Sequence, residues 1–179
     1  VAIGSTVAGL PAAPAIIAGF VASEVLKETP INAAPFMKSK TTSFDKKVFL
    51  QPGAIVHCNL YGAVEHTGIY VGNEQIVELT GSGKVRITDF NGFTQGTGAS
   101  VIYAACSNGR VLYDENIKNR AMRFISSSRD YNLAFNNCHR FTCQCLLGVD
   151  RACNTLFCIL ESEIRNRFNV KTLEWRNCN

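Results

Sequence analysis

Histidine is scarce in this chain, which has three in 179 residues, and no run of five or six like charges occurs in it. The first scarcity confines any chemistry that needs an imidazole to His57, His66 and His139. The second argues against nucleic acid as a partner, because the net charge of +4 is scattered between Lys27 and Arg176 and forms no basic stripe along which phosphates would be neutralised. A phosphate-binding loop is also missing, since Gly81-Ser82-Gly83-Lys84 lacks the full spacing and no helix is expected after it. The eight cysteines do not form a regular disulfide framework, because Cys138, Cys143, Cys145, Cys153 and Cys158 crowd into one late segment. Cys143-Gln144-Cys145 lacks the two-residue gap that lets paired thiolates share a zinc ion, so neither a structural metal nor a cofactor is expected. Several of these thiols sit among apolar residues at helical spacing, which points to reduced cysteines packed as small hydrophobes in a reducing, cytoplasmic compartment.

Charge is missing altogether from residues 1 to 23, where Ala, Val, Ile and Gly dominate around Pro11 and Pro14. The hydrophobic N-terminal segment, residues 1–26, is long enough to span a bilayer. No basic residue precedes it and two prolines break it, so it fits neither a signal peptide nor a clean spanning helix. Burial against the domain and association with a membrane surface both stay open. The first residue is Val rather than Met, from which a processed chain or a fragment is expected. Residues 27–50, with Pro30, Pro35 and the polar run Lys38 to Ser43, read as a linker.

What remains, residues 51–179, suits one domain with a proper core, and the 46% hydrophobic composition of the whole chain is that of a chain that folds. Short β-prone runs come first: Ala54 to Tyr61, Thr67 to Val71, Gln75 to Thr80 and Val85 to Phe90, separated by glycine-bearing turns, which predicts an antiparallel meander. A glycine-rich loop, Asn91 to Gly98, then leads to a strand over Ser100 to Cys106. After Gly109 the period turns helical. Ile117, Ala121, Phe124 and Ile125 mark a first helix behind Asp114 and Glu115, a second is expected from Cys138 to Leu147 with its stop at Gly148, and a third from about Asn154 to Phe168. Strands first and helices late predict an α+β domain in which the meander packs against a late helical group, with residues 149–179 as a helical extension.

The stretch Asn136-Asn137-Cys138-His139-Arg140-Phe141 is the most informative. An Asn pair before a helical apolar run is an N-cap signal that places Cys138 in a first turn, where backbone amides and the helix dipole stabilise a thiolate and can bind an oxyanion. Taken by itself, Cys138 is one more buried thiol among eight, and other residues must decide. His139 follows it directly, so on a helix its side chain is expected to point about 100° away and to make a poor base. His57 lies inside an apolar strand as a core histidine would. His66 opens the strand His66 to Val71 and is the preferred base. If Gly72-Asn73-Glu74 is a three-residue loop, Val71 pairs with Gln75 and Gly68 with Glu78, which puts His66 and Glu78 on one face as diagonal neighbours, whereas a two-residue loop would put them on opposite faces. Glu78, a charge interrupting Ile76, Val77 and Leu79, is then the group that orients His66.

On these residues the chain resembles the lecithin retinol acyltransferase family, which belongs with the NlpC-type peptidases to a papain-like superfamily. Pro52-Gly53-Ala54-Ile55-Val56 resembles the family's opening strand, His66 to Asn73 its histidine strand and turn, and Asn137-Cys138-His139-Arg140-Phe141 its Asn-Cys-x-x-Phe nucleophile motif. The match runs from about residue 51 to 148, in the permuted order with His before Cys. Animal acyltransferases of the family usually carry a second His where this chain has Glu78, twelve residues after His66, and an aromatic residue at the position of Thr67; Glu and the Thr-Gly pair are more like bacterial relatives. The resemblance implies a permuted papain-like fold and a thioester acyl-enzyme on Cys138, with His66 and Glu78 as its partners. Because such folds serve acyltransferases, phospholipases, amidases and peptidases alike, the acyl donor is not given by fold. Lipid esters lead, since the family favours them and residues 1–26 would hold the site near a bilayer. Cell-wall or protein amides come second, and a degenerate binding module with packed cysteines and a solvated Glu78 is the alternative without catalysis.

Overall fold

The alternation of β-prone runs and turn residues produces the meander, and each turn sets the register of the next strand. A computed structural model describes residues 47–60, 64–128, 137–148 and 156–179 of the chain, all within the unit Ser39–Asn179. The strands are β1 Ile55–Leu60, β2 Val64–Gly72, β3 Gln75–Leu79, β4 Val85–Asp89, β5 Tyr103–Ser107, β6 Arg110–Val111 and β7 Glu174–Asn177, and the helices are α1 Phe90–Thr94, α2 Glu115–Arg123, α3 Cys138–Leu147 and α4 Phe157–Phe168. The sheet runs β4-β3-β2-β1-β5-β6, with β7 added on β5, and every pairing is antiparallel. The domain is therefore α+β, with the expected meander ahead of the helices. The N-terminal segment 1–26, most of the linker, Asn136 and the expected start of the third helix lie outside the described residues. Among the described residues no helix is long and apolar enough to cross a membrane.

Successive strand residues point to opposite faces, and here both faces are covered. Ile55, Ile69, Val77 and Leu79 meet Ile117 and Ala121 of α2, Phe141 and Leu146 of α3 and Leu160 and Ile164 of α4. Val56, Cys58, Ile76 and Ala104 meet Phe93 of α1 and Ile102 on the other side. Fully burying an aliphatic side chain stabilises by roughly 1.5–3 kcal/mol, so these two clusters supply the main force that holds α1 and α3 to β2 and β3.

Three expectations are corrected. Phe90, expected to end a strand, and residues 91–94 of the expected glycine-rich loop form α1, because Asp89 caps it, its Oδ1 accepting from the Gly92 amide at 2.7 Å. The extension 149–179 is not all helical, since α4 ends at Asn169 in the left-handed region and the chain returns as β7. Trp175 is the reason: it pairs with Ala105, is fully buried, and its Nε1 donates to Glu161 of α4 at 2.7 Å. A four-residue strand carries too little periodicity to be seen without its partner. The third correction is the β2–β3 hairpin. Its loop has two residues, Asn73 and Glu74, both left-handed at φ 50° and 57°, as a primed turn requires. Gly72 pairs with Gln75, and a register shift between Tyr70 and Gly72 leaves Val71 as a bulge. The bulge restores the pairing Gly68 with Glu78 that a plain two-residue hairpin would have destroyed.

His57 lies in the core, with neither ring nitrogen hydrogen-bonded. Its ring packs edge-on to Trp175 at 4.5 Å and against Tyr103 and Phe157 at 5.2 Å each. Burial, reinforced by the nearby His139, pushes its pKa from 6.5 down to about 3. The unfolded chain takes up this proton below pH 6.5 while the folded one refuses it until about pH 3, so stability falls as the pH drops through that window. His57→Phe is expected to flatten this fall, leaving a gap between variant and wild type that widens by a few kcal/mol from pH 7 to pH 4 in urea unfolding. Parallel curves would show that His57 is not the acid-sensitive group.

Candidate active site

Helix α3 begins as the Asn-Cys motif predicts. Asn137 stays extended at φ −115°, and its side chain accepts from the Arg140 amide at 3.1 Å, which leaves Cys138 as the first helical residue. Gly148, left-handed at φ 73°, ends the helix. The thiol is buried, 4% exposed, and the helix packs on β2 and β3.

His66 is the third residue of β2 rather than its first, paired with Cys58 of β1. Its Nε2 meets the Glu78 carboxylate through Oε2, and its ring lies 4.8 Å from that of Phe93. It also lies near enough to the Cys138 thiol for the two groups to shift each other's protonation. Glu78, 3% exposed, spends its other oxygen, Oε1, on Arg86, whose Nε donates at 2.8 Å. The three residues singled out from the sequence, Cys138, His66 and Glu78, are thus brought to one place in the fold.

The electrostatics follow from this placement. Burial alone would raise the Cys138 thiol, but His139 and His66 outweigh it and hold the pKa well below that of an ordinary cysteine. For His66, burial lowers the pKa, while Cys138 and Glu78 more than reverse this and raise it from 6.5 to about 9. Both shifts favour a thiolate beside an imidazolium. Other buried thiols go the other way, burial pushing Cys58 up to about 11 and Cys106 up to about 12. The arrangement can therefore deliver a preformed nucleophile and a proton donor to the same carbonyl group.

The expectation that His139 points away from the thiol does not hold: its Nδ1 lies 3.9 Å from the Cys138 sulfur. Side chains on a helix lean back toward its N-terminus, so two neighbours in a first turn can both reach the end of the helix. His139 also meets the Thr67 hydroxyl at 3.2 Å, and Thr142 donates to that hydroxyl at 3.1 Å. Arg86 and Phe93 were missed in the sequence. Arg86 was hidden by the register across the Thr80–Lys84 loop, which the sequence left open, and Phe93 by the unrecognised α1.

Gly68 makes room for this site. A Cβ there would stand 2.6 Å from Ile76 Cγ2 and 3.0 Å from Phe93 Cε2 and the Val77 carbonyl. Gly68→Ala is expected to cost roughly 1–3 kcal/mol in urea unfolding by overpacking and, through Phe93, to slow alkylation of Cys138. A variant with unchanged stability and thiol reactivity would show that the space is not needed. Among the described residues no group of three or more His, Cys, Asp or Glu is placed to hold a metal ion. No family model matches the chain, and no curated protein matches it at a significant level.

Proposed function

We propose that the protein is a cysteine-dependent acyl hydrolase or acyltransferase working through a thioester on Cys138. The observation that carries this reading is His66, paired with the Glu78 carboxylate and electrostatically coupled to the buried Cys138 thiol at the start of α3. In the proposed reaction the thiolate attacks the carbonyl carbon of an ester or amide, a C–S bond forms, and the first-turn amides of α3 stabilise the negative oxygen. Collapse of this intermediate breaks the bond to the alcohol or amine, which leaves with the proton of the His66 imidazolium. His66, now neutral, takes a proton from water or a second acceptor as it attacks the thioester, and Cys138 departs as thiolate. Glu78 holds the imidazole and stabilises its cation without accepting the proton.

The resemblance to the lecithin retinol acyltransferase family and the permuted papain-like fold it implies agree with the order His before Cys and with a meander preceding the nucleophile helix. It is this resemblance, together with the uncharged residues 1–26, that puts phospholipid-type esters ahead of cell-wall or protein amides as substrates. The test is incubation with mixed phospholipids, cell-wall fragments and acyl-amides, followed by product analysis and intact-protein mass. An adduct of acyl mass on Cys138 with turnover of one class supports the reading and names the donor. No product and no adduct with any class favours a binding module.

A further inference from the structure

Arg86 stands directly across from Glu78 in the β3–β4 ladder and takes the carboxylate oxygen that His66 leaves. The same guanidinium donates through Nη2 to the Gly92 carbonyl at 3.3 Å, in the short helix whose Phe93 ring lies on His66. One side chain therefore ties together the carboxylate on one side of the imidazole and the aromatic wall on another. The charges also count. A thiolate on Cys138, an imidazolium on His66 and a carboxylate on Glu78 leave a buried cluster with one negative charge in excess, which Arg86 brings to neutrality. The other titratable groups facing the cluster are Cys58 from β1 and His139 from α3, with Asp89 at the cap of α1.

We propose that Arg86 is a positioning residue of the thiol site: it turns Glu78 so that Oε2 faces His66, and it supplies the counter-charge that lets thiolate, imidazolium and carboxylate coexist. This rests on the reading of Cys138 and His66 as the reacting pair. Glu78 is nearly enclosed while the Arg86 side chain is 49% exposed, so its field is partly screened by solvent.

The test uses the full chain and needs no substrate. The rate of Cys138 alkylation by iodoacetamide is followed from pH 4 to pH 10 for wild type, Arg86→Gln and Arg86→Lys, with melting temperature as a check on folding. Removing a cation makes proton loss harder, so Arg86→Gln is expected to move the thiolate limb upward by about half a pH unit, and Arg86→Lys to keep it near the wild-type position. A merely structural role would alter melting without moving the limb. Folded Arg86→Gln with an unmoved limb, or equal movement in both variants, overturns the proposal. Should Arg86→Gln not fold, wild type between 0.05 M and 1 M salt decides, approximate concentrations that bracket strong screening: a half-exposed Arg86 predicts an upward drift of the limb, and an unmoved limb overturns it. A wild-type limb at the position of an ordinary thiol would be a different failure, that of the thiolate–imidazolium pair itself, and would take this inference with it.

Discussion

Limiting iodoacetamide is expected to label Cys138 ahead of every other thiol, and the preference should be steepest in acid. A lowered pKa enlarges the thiolate fraction but also weakens each thiolate as a nucleophile, so at pH 7 the two effects partly cancel. At pH 5 an ordinary thiol with a pKa of ~8.5 is only about 0.03% thiolate, and the population term dominates. Cys138 should then react on the order of tenfold faster than any other cysteine. Cys143 and Cys145 are internal controls in the same helix, farther from its N-terminus, and Cys158, which is exposed, controls for access. Peptide mapping reads the result. Even labelling, or Cys158 taking the reagent first at pH 5, would mean that Cys138 is not an activated thiol. With a substrate identified, Cys138→Ser is expected to lower acyl transfer at least about a thousandfold, since the hydroxyl cannot ionise in this site. Full activity in that variant would end the proposed mechanism.

His66→Ala is expected to lose more than Glu78→Gln. The imidazole moves the proton in both halves of the reaction, which is worth roughly a hundred- to ten-thousandfold, whereas the carboxylate fixes the ring and stabilises its cation. The two variants are also expected to differ in pH dependence. In wild type the imidazolium should be lost as pH rises through about 9, which removes the proton the leaving group needs and closes the alkaline side of the profile. Burial, Cys138 and Glu78 together set that value, and removing the Glu78 charge takes away one of the two raising influences. The alkaline limb of Glu78→Gln should accordingly move to lower pH. kcat/KM measured from pH 5 to pH 10 decides; equal and complete loss from both variants, or an alkaline limb unmoved by Glu78→Gln, would contradict the assigned roles.

Local chemistry sufficed for several features of this protein. The Asn137 cap, the first-turn position of Cys138 and the Gly148 stop are set by side chains within one helix length, and they were legible in the sequence for that reason. The meander and the pairing of Gly68 with Glu78 were legible too, although the second was reached through a three-residue loop that does not exist. Asn73 and Glu74 make a tighter turn, and the bulge at Val71 supplies the missing residue; whether a strand bulges depends on what it packs against, which no local pattern records. β7 exists because Trp175 finds a buried place between β5 and α4, and α1 because Asp89 caps a turn that Phe93 anchors in the core. The approach of His139 to the thiol and of Arg86 to Glu78 likewise required the third dimension. Both are contacts between side chains whose directions are decided only when α3 is laid across β2 and β4 is paired with β3, after the hydrophobic faces have been buried.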